Sequence, residues 1–141
     1  MVRVNLTIPD KGARLSVPPG WSHRSDDKGY LLVTPDYIPG CRMSFSFRSM
    51  PEGMPALAFI HHNAQKREAD VCKSGENWYI FYEEKGAYAE EGARAFCWEI
   101  GFDNHVVAVF AEVPNEYVTQ ATIEKLVTDM ADVVESAHCE S

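Results

Sequence analysis

Two pairs of glutamates, Glu83-Glu84 and Glu90-Glu91, are the densest groups in the chain with chemistry to offer. Paired carboxylates can hold a divalent cation or divide acid and base roles. The alternating oxygen donors of a calcium loop are absent around them, so they read as solvated turn residues. His61 and His62 are adjacent, which on a helix turns their side chains about 100° apart and denies them the i, i+4 spacing of a helical zinc site. His105, beside a turn, and His138, near the end, have no Cys or His at ligand spacing. The four cysteines, Cys41, Cys72, Cys97 and Cys139, make no C-x-x-C pair. No G-x-S-x-G, P-loop or G-x-G-x-x-G occurs, and no Ser or Cys stands beside a recognisable base. The expectation is a protein that is not an enzyme and uses no metal and no cofactor.

Charge points instead to binding. Residues 1–74 carry ten Lys and Arg against seven Asp and Glu; residues 75–141 carry three against fourteen, and the whole chain has a net charge of −8. Such a balance repels nucleic acid and anionic membrane and invites a basic partner. No run approaches the roughly 20 apolar residues that span a bilayer. The opening MVRVNLTIPDKG has neither the apolar core nor the cleavage site of a signal peptide, so a cytoplasmic location with reduced thiols is expected.

The elements that would position these groups follow from apolar spacing. Residues 2–8, 15–17, 30–34 and 42–48 alternate as strands with one wet face. The last puts Met43, Phe45 and Phe47 on one side and Arg42, Ser44, Ser46 and Arg48 on the other. Arg3, Arg14, Arg42 and Arg48 fall on polar faces. A helix is predicted over 55–70, with Pro55 suited to its first turn, then a loop over 73–77. Residues 78–83, 93–102 and 105–113 read as strands apolar on both faces, with a hairpin turn at Asp103-Asn104. Residues 116–137 form the closing helix: Ile123, Leu126, Val127, Met130, Val133 and Val134 make its stripe. Asp129, Asp132 and Glu135 crowd its C-terminal turns, where the helix dipole disfavours acids by a few tenths of a kcal/mol each.

The order β-β-β-β-α-β-β-β-α, joined by tight turns, predicts one α+β domain over 1–141 with a mostly antiparallel sheet and two main helices. Strands apolar on both faces need cover on both. Either one helix lies on each face, or an aromatic surface stays open for a partner or for a second copy in a homodimer. The partner-binding set would then be Trp78, Tyr79, Phe81, Tyr82, Glu83, Glu84, Tyr88, Glu90 and Glu91.

The stretch Leu15-Ser16-Val17-Pro18-Pro19-Gly20-Trp21 resembles the opening of PsbP-like domains, an apolar strand followed by Pro, Gly and Trp. Tyr30-Leu31-Leu32-Val33-Thr34-Pro35 and Arg42-Met43-Ser44-Phe45-Ser46-Phe47 resemble their second and third strands. The mid-chain helix, later hairpins and closing helix follow in the same order. The resemblance, which extends to DcrB-like proteins, implies a PsbP-like sandwich and a binding role. With the small size and acidity, it implies a bacterial immunity or accessory protein of a type VI secreted effector. The alternative from another class is a small enzyme or ligand-binding domain, with a pocket between sheet and helix at His105 or the glutamate turns.

Overall fold

The alternating runs pair into one long sheet. The computed structural model describes residues 4–7, 13–51, 53–84, 92–102 and 105–139. The strands are β1 (Val4–Thr7), β2 (Ala13–Val17), β3 (Ser22–Ser25), β4 (Leu31–Thr34), β5 (Arg42–Ser49), β6 (Val71–Ser74), β7 (Asn77–Glu84), β8 (Ala93–Phe102), β9 (His105–Pro114) and β10 (His138–Cys139). Helix α1 (Ala56–Arg67) lies between β5 and β6, and α2 (Gln120–Ser136) between β9 and β10. Seven strands run in the order β3-β4-β5-β9-β8-β7-β6, each antiparallel to its neighbours. A small antiparallel sheet, β1-β2-β10, stands apart from it. The class is α+β. No helix among the described residues is long and apolar enough to cross a membrane.

The central strands are apolar on both faces because each face is covered. On one face Phe45, Trp98, Ile100, Val107 and Val109 meet Leu126, Met130, Val133 and Val134 of α2, and Leu15 and Val17 of β2 close the edge. Thr119 caps α2, its hydroxyl accepting from the Thr122 N–H at 3.1 Å. On the other face the short α1 sets Ala56, Ile60 and Ala64 against Ile80 and Val106. Gly101 of β8 permits that approach: a methyl group there would meet Ile60 Cγ1 at 3.2 Å and Ala56 Cβ at 3.5 Å. One helix therefore lies on each face, which settles how the two-sided strands are covered.

The predicted order holds, with three short strands added. β3, Ser-His-Arg-Ser, is exposed at every position and is a strand only because it pairs with β4. Helix α1 stops at Arg67, not at residue 70. Glu68 adopts a left-handed conformation, φ 56°, and the Ala69 N–H returns to the Ala64 carbonyl at 2.9 Å. That turn frees Val71–Ser74 to pair with β7, so the loop expected over 73–77 is a hairpin. α2 begins at Gln120 because Pro114 and a single 3-10 turn, Asn115–Tyr117, precede it. The turn expected at Asp103-Asn104 lies outside the described residues.

Candidate functional site

β7 divides the expected partner-binding residues between the two faces. Phe81 packs on the α2 side, stacked 6.0 Å from Phe96 and 4.9 Å from Trp98. Tyr79 lies half-buried against the same core, and burial pushes its hydroxyl pKa up. Tyr82 lies on the α1 side with the Arg67 guanidinium 4.8 Å above its ring. Glu83 and Glu84 sit within β7, and both have partners. Arg94 donates to both oxygens of Glu83 at 2.6 Å, the bidentate geometry that gives the strongest such pairs. Arg67 donates to Glu84 Oε2 at 2.9 Å. Tyr88, Glu90 and Glu91 lie outside the described residues. Among the described members of the set, Trp78, at the start of the strand, borders the larger opening, and Tyr82 borders a smaller hollow.

That space is a cleft of about 860 Å³ where the α1 N-terminus, the β6–β7 turn and the α2 C-terminus come together. Its walls include Leu57, Glu76, Trp78, Glu135 and His138. Asn77 builds the floor. Buried, it donates its amide hydrogens to the Val134 and Ala137 carbonyls at 3.1 and 2.7 Å. A helix ends with carbonyls that need such donors, so Asn77 both closes α2 and ties it to β7. Lys73 Nζ lies 5.2 Å over the Trp78 ring, a cation–π contact that shows the ring face accepts a cation. Of the helix acids, Asp129 accepts from the Tyr37 hydroxyl at 2.7 Å and from Lys125 at 3.3 Å, whereas Glu135 faces the cleft.

A second hollow lies under the flank of α1, on the part of the sheet this short helix leaves uncovered. Register aligns Ile80, Glu99, Ala108 and Ser46 across β7, β8, β9 and β5, and Tyr82, Cys97, Phe110 and Ser44 in the next row. Alanine and serine are too small to fill the sheet surface there. A hollow of about 270 Å³ results, walled by Asn63, Arg67, Tyr82, Phe110 and Arg48. Glu99 lines it and is only 7% exposed. Its Oε1 accepts from Asn63 Nδ2 at 2.6 Å, while its buried Oε2 has no hydrogen-bond partner among the described residues. Leaving such an atom unmatched costs about 1–3 kcal/mol, more for a charged group. Burial, then the Glu99 charge and, last, an approach of the phenol to Glu99 that falls short of a full hydrogen bond to Oε2 push the Tyr82 hydroxyl pKa well above the phenol range. Burial, with the Glu84 charge, lifts the Cys97 thiol to about 11. A thiol held protonated at neutral pH is no nucleophile.

The sequence reading missed Glu99. Its signal was a local contradiction, one acid inside the apolar run Ala95-Phe96-Cys97-Trp98-Glu99-Ile100. His105, where a pocket was expected under the alternative reading, instead packs at a tilt 4.8 Å from Phe47 and lines neither cavity. His61 and His62 are exposed on α1. Among the described residues no cluster of His, Cys, Asp and Glu is arranged to hold a metal ion.

Several solved structures are similar to this chain in fold, among them the following two. A protein from Bacteroides thetaiotaomicron superposes with a TM-score of 0.64 over 92% of this chain at 16% identity; this chain spans 46% of that one, about half its length. The cyanobacterial PsbP protein CyanoP from Synechocystis, solved in solution, gives a TM-score of 0.55 at 10% identity, covering 98% of this chain and 92% of its own. The fold is therefore PsbP-like. No family model matches the chain, and no curated protein does.

Proposed function

We propose that this chain is a non-enzymatic protein-binding domain that takes a basic segment of its partner in the cleft beside Trp78. The observation that carries this reading is a conjunction at one end of the sheet. An open cleft there has an aromatic wall and two carboxylates, Glu76 and Glu135, that enter none of the ion pairs among the described residues. A lysine or arginine side chain satisfies both features, its charge against the carboxylates and its aliphatic stem against the indole. The C-terminus of α2 adds partial negative charge. Leu57, 37% exposed, and Pro55 give the cleft wall apolar area.

The narrower role we propose is a cytoplasmic bacterial immunity or accessory protein of a type VI secreted effector. Small size, the net charge of −8 and the PsbP-like fold support it. The same acidity favours a basic protein over nucleic acid or a membrane surface. The test is co-expression with the products of neighbouring genes, followed by co-purification. Trp21 and Trp98 are buried away from the cleft, so the part of a partner-induced fluorescence change that a Trp78→Phe control loses reports on the cleft. A stoichiometric complex that shifts this fluorescence and is lost on Trp78→Ala with Glu76→Lys and Glu135→Lys is expected. A complex unaffected by these changes, or a homodimer closed through this cleft, would overturn the reading.

A further inference from the structure

We propose that the hollow beneath α1 is a second, independent site that binds a small zwitterion, its ammonium on Glu99 and its carboxylate on Arg48. Glu99 is more than nine-tenths buried, its Oε2 has no partner among the described residues, and it lines the hollow. Asn63 holds the other oxygen, which fixes the carboxylate's orientation, and the Tyr82 hydroxyl approaches the carboxylate without completing a hydrogen bond to Oε2. The cation that α1 brings to the hollow does not neutralise it. Arg67 is committed to Glu84 at 2.9 Å and to the face of Tyr82. An N–H donor that arrives with its own positive charge therefore supplies what Oε2 lacks, as a short charge-assisted hydrogen bond.

Arg48 stands at the opposite rim. It is exposed and enters none of the ion pairs among the described residues. It lies two strands from Glu99 and one row along, since Arg48 pairs with Val106 and Glu99 with Ala108. That places their backbones roughly 12 Å apart, with both side chains bordering the same hollow. A ligand only a few atoms long bridges the remaining gap. The hydroxyls of Ser44 and Ser46 line the floor as donors for a carboxylate, and Phe110 and Tyr82 give apolar walls to a short carbon chain. A volume of about 270 Å³ lies just below the usual range for drug-sized ligands and excludes a nucleotide or large cofactor. Opposite charges at the two ends of a small hollow select an amino-acid-sized molecule.

The test titrates the protein by amide chemical shifts with glycine, β-alanine, γ-aminobutyrate and larger amino acids, with butylamine and butyrate as single-charge controls. At least one zwitterion should saturate, moving the amides of Ser46, Cys97, Glu99 and Ala108. Glu99→Gln and Arg48→Gln should each weaken it by about tenfold or more, as should removing either ligand charge. Trp78→Ala should leave it unchanged, which separates this site from the cleft. No saturation by any zwitterion at millimolar concentration, wild-type affinity in either charge variant, or butylamine binding as well as the best zwitterion would each overturn the proposal.

Discussion

Replacing Glu99 by glutamine should make the protein more stable. The amide is isosteric with the carboxylate and keeps an oxygen for the Asn63 N–H now 2.6 Å away. It removes a formal charge from a position 7% exposed whose second oxygen is unmatched. Removing the buried charge is worth about 1–2 kcal/mol after the weaker neutral hydrogen bond and the amide's own unpaired N–H are deducted. For a chain of 141 residues this is a rise in Tm of roughly 3–6 °C. Asn63→Ala has the opposite sign: it strips Oε1 of its donor and should cost about 1.5–3 kcal/mol while the carboxylate is present. The two changes share one contact, so their effects should not add. In the Glu99→Gln background Asn63→Ala should cost about 1 kcal/mol less. Urea titrations of the four proteins close the cycle. A Glu99→Gln protein destabilised by more than about 1 kcal/mol would refute the reasoning, because it would mean that Oε2 holds a buried ion pair. A gain in stability, by contrast, is the signature of a group retained for binding at the expense of the fold.

Other outcomes follow from the same geometry. Gly101→Ala places a methyl 3.2 Å from Ile60 and 3.5 Å from Ala56, so α1 must lift from the sheet; a loss of about 1–2 kcal/mol in thermal melts is expected. Asn77→Ala removes two hydrogen bonds to the α2 carbonyls and should cost about 2 kcal/mol, with amide exchange accelerated first at the C-terminal turn of α2. Burial lifts Cys97 from 9.0 to about 11 and Cys41 to about 12. The unfolded chain loses these protons first as pH rises, so the contribution is complete below about pH 9 and declines towards pH 11–12. Urea midpoints should fall across that window, and Cys97→Ala should make the fall shallower.

The strands apolar on both faces carried most of the fold. Phe96, Trp98 and Ile100 alternate with Cys97 and Gly101, and a strand that needs cover on two sides implies two covering layers. The stripe from Ile123 to Val134 identified one layer directly. What escaped reading depends on pairing rather than on local pattern. β3 has no apolar alternation and exists through β4 alone. β6 follows a helix that ends on Glu68 in a left-handed conformation, where a glycine would have announced the stop. Glu99 reads as an anomaly in sequence, but its hollow depends on Ala108 and Ser46, which only the register of three strands sets beside it.

The same dependence on register reshapes the charge asymmetry. Arg67 reaches Glu84 across 17 positions and Arg42 comes within 3.6 Å of Glu112, so cations from the first half neutralise acids from the second. Arg94 occupies Glu83. Surface pairs of this kind add little stability, typically below about 1 kcal/mol, but they dilute the field that a partner would feel along β7. Glu76 and Glu135 remain, together, beside the end of a helix whose last turn carries no base to offset its dipole. Attraction for a basic segment should therefore depend on these two residues more than on the larger number of glutamates in and beyond β7. If charge reversal at Glu83 and Glu84 weakens the partner complex as much as reversal at Glu76 and Glu135, the cleft is not where the partner docks.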